Sequence, residues 1–369
     1  MTARAPLLIA CALLLASGGT AAQELTLEPQ TPVADPDAPV LVWQGRVMTG
    51  FEVERERPSD EQGGPRVSDY GFFLDQARLS LEGEWKDLEF DVSVDLGDAI
   101  RPKTSSASFS QPPYLRNAYL NYRVHKAFRI RAGRFKRPFS ALELTSSGDL
   151  PFRGRGLGND LIVEEGQWGD RALGLMFWGR LPGKLRWYLA AHNPGWAPDG
   201  DIEVNGIDAI ARVEWEAVES VLELGLSLGH KLEARPDLDV NGNGASFDVA
   251  LHAGNFNVAL DAMLAQLTNQ ASEDVDAPLA YALVLHSTYV IPLGGDFALE
   301  PVLFGEYAEA DAEYSRTEAV RIVAGFNFRV ADHLRVMPQV EIKRPLDTAA
   351  AENPWQSGET YYVMMVGQL

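Results

Sequence analysis

The stretch LEFDVSVDL, residues 88–96, alternates apolar and polar side chains without interruption. Successive residues of a β-strand point to opposite faces, whereas an α-helix repeats every 3.6 residues. A strand over these residues therefore has one wholly apolar and one polar face. The apolar set is Leu88, Phe90, Val92, Val94 and Leu96, and the polar set is Glu89, Asp91, Ser93 and Asp95.

The same alternation recurs along the chain from residue 40 to its end, in sixteen segments. Seven short connections alternate strictly with eight long ones. This pattern predicts an even number of antiparallel strands with both ends of the chain on the short-turn side, as in outer-membrane barrels. We therefore predict an all-β fold, a 16-stranded antiparallel transmembrane β-barrel over 40–369. A soluble β-sandwich is the alternative, but it gives no reason for such regular alternation of connections.

The N-terminal residues have the features of an export signal: MTAR carries a positive charge, PLLIACALLLA is apolar, and SGGTAA offers small residues for cleavage. We expect a signal peptide at 1–22 and a proline-rich, acidic periplasmic linker at 23–39. Cleavage would remove Cys11, the only cysteine, and with it any disulfide or thiolate chemistry.

The formal net charge is -20, and removal of 1–22 takes away Arg4 and no acid. Nucleic acid is therefore not an expected partner. The six histidines show no metal-ligand spacing, so neither a metal nor a cofactor is expected. DVNGNG, residues 239–244, resembles the start of a calcium loop through Asp239, Asn241 and Asn243, but Ala250 stands where such a loop has a bidentate Glu.

Aromatic residues at apolar positions near strand ends predict two interfacial girdles. Those near the short turns are Trp43, Trp85, Phe128, Phe177, Trp187 and Trp215, and those near the long loops are Phe51, Phe73, Tyr114 and Tyr307.

A basic segment, RAGRFKRPFSALELTSSGDLPFRGRG at 131–156, begins the longest connection, the third loop, at about 136–169. Its residues are similar to the phosphate-selective porin O and P family. The matching positions are Gly133, Phe135, Lys136, Pro138, Phe139, Glu143, Ser146, Ser147, Arg155, Arg171 and Gly174. The resemblance implies a trimeric channel in the outer membrane of a Gram-negative bacterium, with basic residues that guide anions. In such porins the third loop folds into the lumen, which we also expect here.

Strand parity and the third loop supply candidate pore-lining and anion-binding residues. A pore becomes anion-selective when Arg and Lys line a narrow lumen. The candidates on the wall are Arg78, Arg123, Arg129 and Arg131, and those on the loop are Lys136, Arg137, Arg153 and Arg155. Parity also turns Arg46, Arg186 and acids such as Glu52, Asp91 and Glu341 inward, so a cation-preferring lumen stays an alternative.

The sequence thus predicts an outer-membrane porin, a passive channel for small hydrophilic solutes with a preference for anions such as phosphate. The barrel is expected to contact outer-membrane lipid and to associate with two further copies of the chain in a homotrimer. The alternatives are a general or cation-leaning porin, a plugged structural or adhesive barrel, and a lipid hydrolase. No catalytic residue is assigned, because the best candidates, His286 and Ser287, would face opposite sides of a strand.

Overall fold

The computed structural model describes residues 38–56, 66–97, 114–194, 205–235, 238–272, 275–313, 317–331, 333–346, 355 and 357–368. Apart from Ala38 and Pro39, the predicted signal peptide and linker lie outside the described residues, so these two assignments stay predictions. No helix in the described part of the chain has the length and apolar character to cross a bilayer.

Seventeen strands account for most of the described chain. They are β1 (Val40–Glu56), β2 (Arg66–Trp85), β3 (Leu88–Asp95), β4 (Leu115–His125), β5 (Phe128–Lys136), β6 (Arg171–Leu181), β7 (Leu185–His192), β8 (Asn205–Val218), β9 (Leu222–Arg235), β10 (Leu238–Ala253), β11 (Phe256–Gln266), β12 (Leu279–Tyr289), β13 (Ile291–Gly294), β14 (Phe297–Glu309), β15 (Glu318–Val330), β16 (Leu334–Pro345) and β17 (Gly358–Gln368). A 3-10 turn, Thr268–Gln270, follows β11.

The strands form one closed antiparallel barrel. Each strand pairs with its neighbours in sequence, and β1 also pairs with β17, from Arg46 opposite Gln368 to Glu56 opposite Gly358. β12 and β13 are separated only by Val290 and both pair with β14, so they occupy one position in the wall. The wall therefore has sixteen positions, which confirms the predicted 16-stranded transmembrane barrel.

The short turns close tightly on one side of the barrel. Between β2 and β3 only Lys86 and Asp87 intervene, and Lys86 adopts a φ of 57°, as hairpin turns of this length require. Gly254, with a φ of 64°, serves the same purpose between β10 and β11. The connection between β9 and β10 differs from its prediction as a long loop, because the two strands extend until only 236–237 separate them.

An irregularity in the pairing of β1 with β2 reverses the predicted direction of the side chains near it. β1 and β2 shift register between Met48 and Thr49, and Asp75 is the extra residue. As a result Phe72 is 89% exposed and contacts Phe51 on the outside. Phe73 instead contacts the guanidinium of Arg153 at 3.9 Å. The assignment of Phe73 to the outer girdle was therefore wrong, because a β-bulge reverses the side-chain direction of the residues on one side of it relative to the other.

The third loop, residues 137–170, lies against the inward face of the wall. It contains the short helix α1, Ala141–Leu144, capped by the Ser140 hydroxyl, and a π-helix, Asn159–Glu165. The loop is held by hydrogen bonds to many strands. These run from the backbone N–H groups of Leu142 to Asp261, of Leu157 and Gly158 to Glu306, and of Arg153 to Tyr362, and from Gln339 and Asn327 to the carbonyl of Pro151.

An apolar cluster joins the loop to one half of the barrel interior. The wall residues of this cluster are small or branched, among them Ala265, Ala280, Ala282, Val284, Ala308 and Val323, and all are buried. Loop residues such as Phe152, Ile162 and Trp168 pack on them. Several strands among β8–β15 are consequently apolar on both faces in this region, which the simple lipid-out, water-in pattern did not predict.

The DVNGNG segment belongs to this packing and not to a calcium loop. It lies within β10, where Asp239, Asn241 and Asn243 are exposed at alternate positions and pair across to β9. In an extended strand these side chains do not converge on one ion. The glycines between them face inward: a Cβ on Gly244 would lie 2.8 Å from the ring of Trp168. Gly229, opposite Gly244 on β9, leaves the same space.

We expect the substitution Gly244→Ala to destabilise the barrel by about 1–3 kcal/mol, because an added methyl group would overpack the slot that holds Trp168. The matched control is Gly305→Ala on β14, where a Cβ meets no described atom within 4 Å. The midpoint of thermal unfolding in detergent, followed by β-sheet circular dichroism, measures both. Equal unfolding midpoints for the two variants would contradict the inference that Gly244 leaves the space for Trp168.

Candidate functional site

A cavity of about 700 Å³ lies between the third loop and the wall formed by β1–β8. Its loop side includes Pro138, Leu144, Ser146, Ser147 and Asp149. The apolar packing of the loop occupies the opposite side of the barrel, against β8–β15. This cavity is therefore eccentric, between one half of the wall and the loop.

Positive side chains dominate the lining of this cavity. Among the described residues nine are basic and four are acidic. The basic residues are Arg46, Arg78, Arg116, Arg131, Lys136, Arg155, Arg171, Arg180 and Arg186, and the acidic residues are Glu82, Asp91, Asp149 and Glu214. A low-dielectric wall focuses the field of such a cluster into the water it encloses.

Arg131 is a cation of this cavity whose hydrogen-bonding capacity is free. No described residue forms an ion pair or hydrogen bond with its guanidinium group. Its central carbon lies 4.1 Å from the ring centre of Tyr119 and 5.6 Å from that of Trp178. Aromatic faces attract a cation without occupying its N–H groups. Arg131 is therefore held in place with donors still available.

Most of the other cations contact protein acceptors. Arg78 lies 3.1 Å from Asp95, and Arg186 lies 3.4 Å from Glu214. The buried carboxylate of Glu143 binds two cations, the Lys136 ammonium at 2.8 Å and the Arg155 guanidinium at 3.3 Å. Of these pairs, that of Lys136 with Glu143 joins the loop to the wall, and all of them reduce the field of the cations that form them.

Arg46 and Arg171 have neutral hydrogen-bond acceptors. Arg46 donates to the Ser146 hydroxyl at 2.7 Å, and Arg171 donates to the Asn117 side chain at 2.8 Å. Because neutral acceptors leave the positive charge uncompensated, both residues add to the field in the cavity.

The structure brings together four of the eight residues predicted to line the pore: Arg78, Arg131, Lys136 and Arg155. Their role in anion binding stays a prediction. The other four, Arg123, Arg129, Arg137 and Arg153, lie outside this cavity.

Each of these four has a contact that explains its position. Arg123 and Arg129 are paired across β4 and β5, and each has its own acids: Glu84 and Asp87 at the turn for Arg123, and Glu89 for Arg129. Arg153 on the loop pairs with Glu52 and Asp75. Arg137 is 2% exposed and pairs with Asp208 at 2.9 Å, so the protein interior encloses it.

Sequence parity missed Arg116 because of a second bulge. Ser93 pairs with Asn117 while Val94 pairs with Leu115, so Arg116 is the extra residue of β4. It shares parity with the exposed Leu120 and yet lines the cavity. A basic residue among apolar ones on the predicted lipid face was the only available signal, since a charge facing lipid is costly.

Two carboxylates of the π-helix, Asp160 and Glu164, reach water within the barrel. Crowding by the surrounding protein raises the pKa of both, in each case mainly through desolvation. Glu306 and Glu341 raise the pKa of Asp160 further while Arg321 opposes them. For Glu164 the neighbouring charge of Asp160 acts in the same upward direction. These carboxylates therefore lose their charge at a higher pH than ordinary acids.

No described group of three or more His, Cys, Asp or Glu side chains could hold a metal ion. The candidate for lipid hydrolysis is also dispersed: His286 packs on the ring of Phe152 in the interior, at 5.2 Å, and Ser287 follows it on the alternate face of β12. A His on one side of the wall cannot activate a Ser on the other.

Residues 58–172 match the family described as phosphate-selective porin O and P, which confirms the resemblance found in the sequence. No curated protein is similar enough in sequence to match the chain.

Several solved outer-membrane structures share the fold. An anion-selective porin from Comamonas acidovorans is 15% identical, with a TM-score of 0.62 over 90% of this chain and 100% of that one. The channel DcaP of Acinetobacter baumannii is 10% identical, with a TM-score of 0.62 over 91% and 99%. A trimer form of OmpT from Vibrio cholerae is 12% identical, with a TM-score of 0.58 over 90% and 100%. The family match over residues 58–172 and the barrel fold point to an outer-membrane porin channel of a Gram-negative bacterium.

We expect Arg137→Met to destabilise the protein by about 3 kcal/mol, because it removes the main partner of the buried Asp208 and leaves only Lys231, 3.9 Å away. The control Arg123→Met removes the same charge from a turn, where the cost is about 0–1 kcal/mol. Urea unfolding in detergent gives both free energies. Similar losses for the two variants would show that the Arg137–Asp208 pair does not anchor the loop.

Lowering the pH from about 8 to about 5 should raise the ratio of anion to cation permeability by up to a few-fold. Asp160 and Glu164, with their raised pKa values, gain protons within this range and lose negative charge. The double variant Asp160→Asn, Glu164→Gln should have a flatter profile, whereas Glu219→Gln in a short turn should retain the wild-type one. Reversal potentials in a salt gradient, recorded across this pH range, provide the measurement. If the permeability ratio depends on pH in the same way in all three proteins, Asp160 and Glu164 are not the cause.

Proposed function

We propose that this outer-membrane porin is a passive channel for small hydrophilic solutes that prefers anions, phosphate among them. The observation that carries the proposal is the excess of nine basic over four acidic side chains around the cavity beside the third loop. This excess is opposite in sign to the formal net charge of -20. The local field at the narrow part of the path, and not the total charge, would then set the preference.

Screening supports this separation of local from total charge. At physiological salt the Debye length is about 8 Å, so acids on external loops act weakly on an ion inside the barrel. The guanidinium groups of Arg46 and Arg131 form no ion pair with a described carboxylate and remain in direct reach of that ion. Arg171 is also in reach, and its long ion pair with Asp170, at 3.8 Å, compensates its charge only in part.

A polyatomic anion such as phosphate suits this arrangement because guanidinium groups donate paired hydrogen bonds to its oxygens. The anion selectivity named for the Comamonas acidovorans porin is in line with the proposal, although that likeness concerns the fold. A cation-leaning porin is the second candidate, and the accessible carboxylates Asp160 and Glu164 on the third loop favour it.

The proposed channel also needs to be exported and assembled in the outer membrane. We propose a homotrimer in outer-membrane lipid, in keeping with the trimer form of the Vibrio cholerae OmpT structure. The exposed apolar belt of the wall, with Trp43, Phe72 and Trp85 at its borders, provides surfaces for lipid and for neighbouring subunits. Export would depend on the signal peptide at 1–22, and 23–39 would lie in the periplasm.

Neutralising Arg131 should lower the ratio of anion to cation permeability about five-fold, since a close charge in a wet pore contributes ~1 kcal/mol. The variant is Arg131→Gln, and its control is Arg123→Gln, which makes the same charge change beside Glu84 and Asp87 at the turn. Reversal potentials in a potassium chloride gradient across planar bilayers measure both. A wild-type channel that already prefers potassium and does not respond to Arg131→Gln would contradict the proposed anion preference.

A further inference from the structure

The wall of the cavity around Arg131 contains an unusual set of aromatic side chains. Tyr119 on β4, Phe135 on β5, Trp178 on β6 and Tyr188 on β7 all line the cavity. The lumen of an outer-membrane barrel is ordinarily polar, with its aromatic residues on the outer girdles. Four aromatic rings on four adjacent strands, all inward, therefore need an explanation of their own.

These rings and the nearby guanidinium groups form a layered surface. Arg131 lies between Tyr119, at 4.1 Å, and Trp178, at 5.6 Å from the ring centres. Arg129 lies 4.7 Å from the ring centre of Trp178, and the rings of Trp178 and Tyr188 are nearly parallel, at 11° and 6.1 Å. Planar apolar surfaces thus alternate with planar cations along one side of the cavity.

The polar edges of two of these rings are already occupied. The indole N–H of Trp178 donates to Asn121 at 2.9 Å, and the Tyr188 hydroxyl donates to Glu214 at 3.0 Å. The rings are only partly buried, so apolar ring surface and not polar edges remains for a solute. Such a surface gives nothing to a compact inorganic anion, because the face of an aromatic ring carries negative charge density.

We propose that the preferred solutes of this site are planar aromatic carboxylates. The carboxylate would accept hydrogen bonds from the free guanidinium N–H groups of Arg131, and the ring would stack beside Trp178 and Tyr188. Guanidinium and carboxylate match in geometry, and offset ring pairs attract one another. The cavity of about 700 Å³ is within the range of ~300–1,000 Å³ typical of sites for organic ligands. This inference rests on the proposed anion preference and narrows it to a substrate class.

The test compares benzoate with cyclohexanecarboxylate, which has the same charge and a similar size but no aromatic ring. In planar bilayers, each is titrated against the chloride current of the wild-type channel at pH 7. Benzoate should reduce the current at a concentration about three- to ten-fold lower than cyclohexanecarboxylate does. If both carboxylates reduce the current at the same concentration, in a channel that still prefers chloride to potassium, this inference is overturned and the proposed function stays intact.

A pair of variants on one strand separates stacking from general effects. Trp178→Leu should remove the advantage of benzoate and leave the effect of cyclohexanecarboxylate nearly unchanged. The control is Phe177→Leu, the next residue, whose ring stacks with Phe128 at 5.8 Å instead of lining the cavity, and it should behave like the wild type. If Trp178→Leu weakens both carboxylates equally, the ring serves only to hold Arg131 and the inference is overturned. The wild-type comparison decides even where this variant does not fold.

Discussion

In lipid, a backbone amide or carbonyl without a partner is costly, and the whole architecture follows from meeting that constraint. The barrel meets it by pairing β1 with β17 over eleven positions, which closes the sheet on itself. Closure in turn creates an interior that the chain must fill or line. The third loop packs against one half of it with apolar contacts and leaves in the other half a cavity with more than twice as many basic as acidic residues.

The two halves of the interior follow different rules of side-chain chemistry. Along β8–β15 small inward residues, among them Ala265, Ala282 and Gly244, admit the loop closely, as the slot for Trp168 shows, and buried charged residues such as Asp261 and Glu306 bind its backbone N–H groups. Along β1–β7 the inward residues are charged, amide or aromatic, and they face water. The ion pair of Glu143 with Lys136 joins the loop to the end of β5, and the pair of Arg137 with Asp208 joins it to β8, so both limit how far the loop can move.

The strand count, the closed sheet and the inward direction of Arg131 could be predicted from the sequence, because lipid imposes a two-residue period on the side chains of the wall. The predicted side-chain directions were wrong at two bulges, each of which adds a residue to a strand. Arg116 points inward, and Phe72 lies outside where Phe73 was expected. Arg137 could not be distinguished from Arg131, because its partner Asp208 is 71 residues away in sequence. The role of the glycines in DVNGNG could not be predicted for the same reason, because the ring of Trp168 that packs on them is distant in sequence.

The position of that slot has a consequence for biogenesis. Trp168 lies in a loop between β5 and β6, whereas the glycines that receive it belong to β9 and β10, and its indole N–H donates to the carbonyl of Gln266 at the end of β11. A nascent barrel that has assembled only its first strands has nowhere to dock the loop. The interior thus becomes divided late, after the C-terminal half of the wall is in place. Until then the apolar side of the loop is a surface that periplasmic chaperones or the insertion machinery would need to shield.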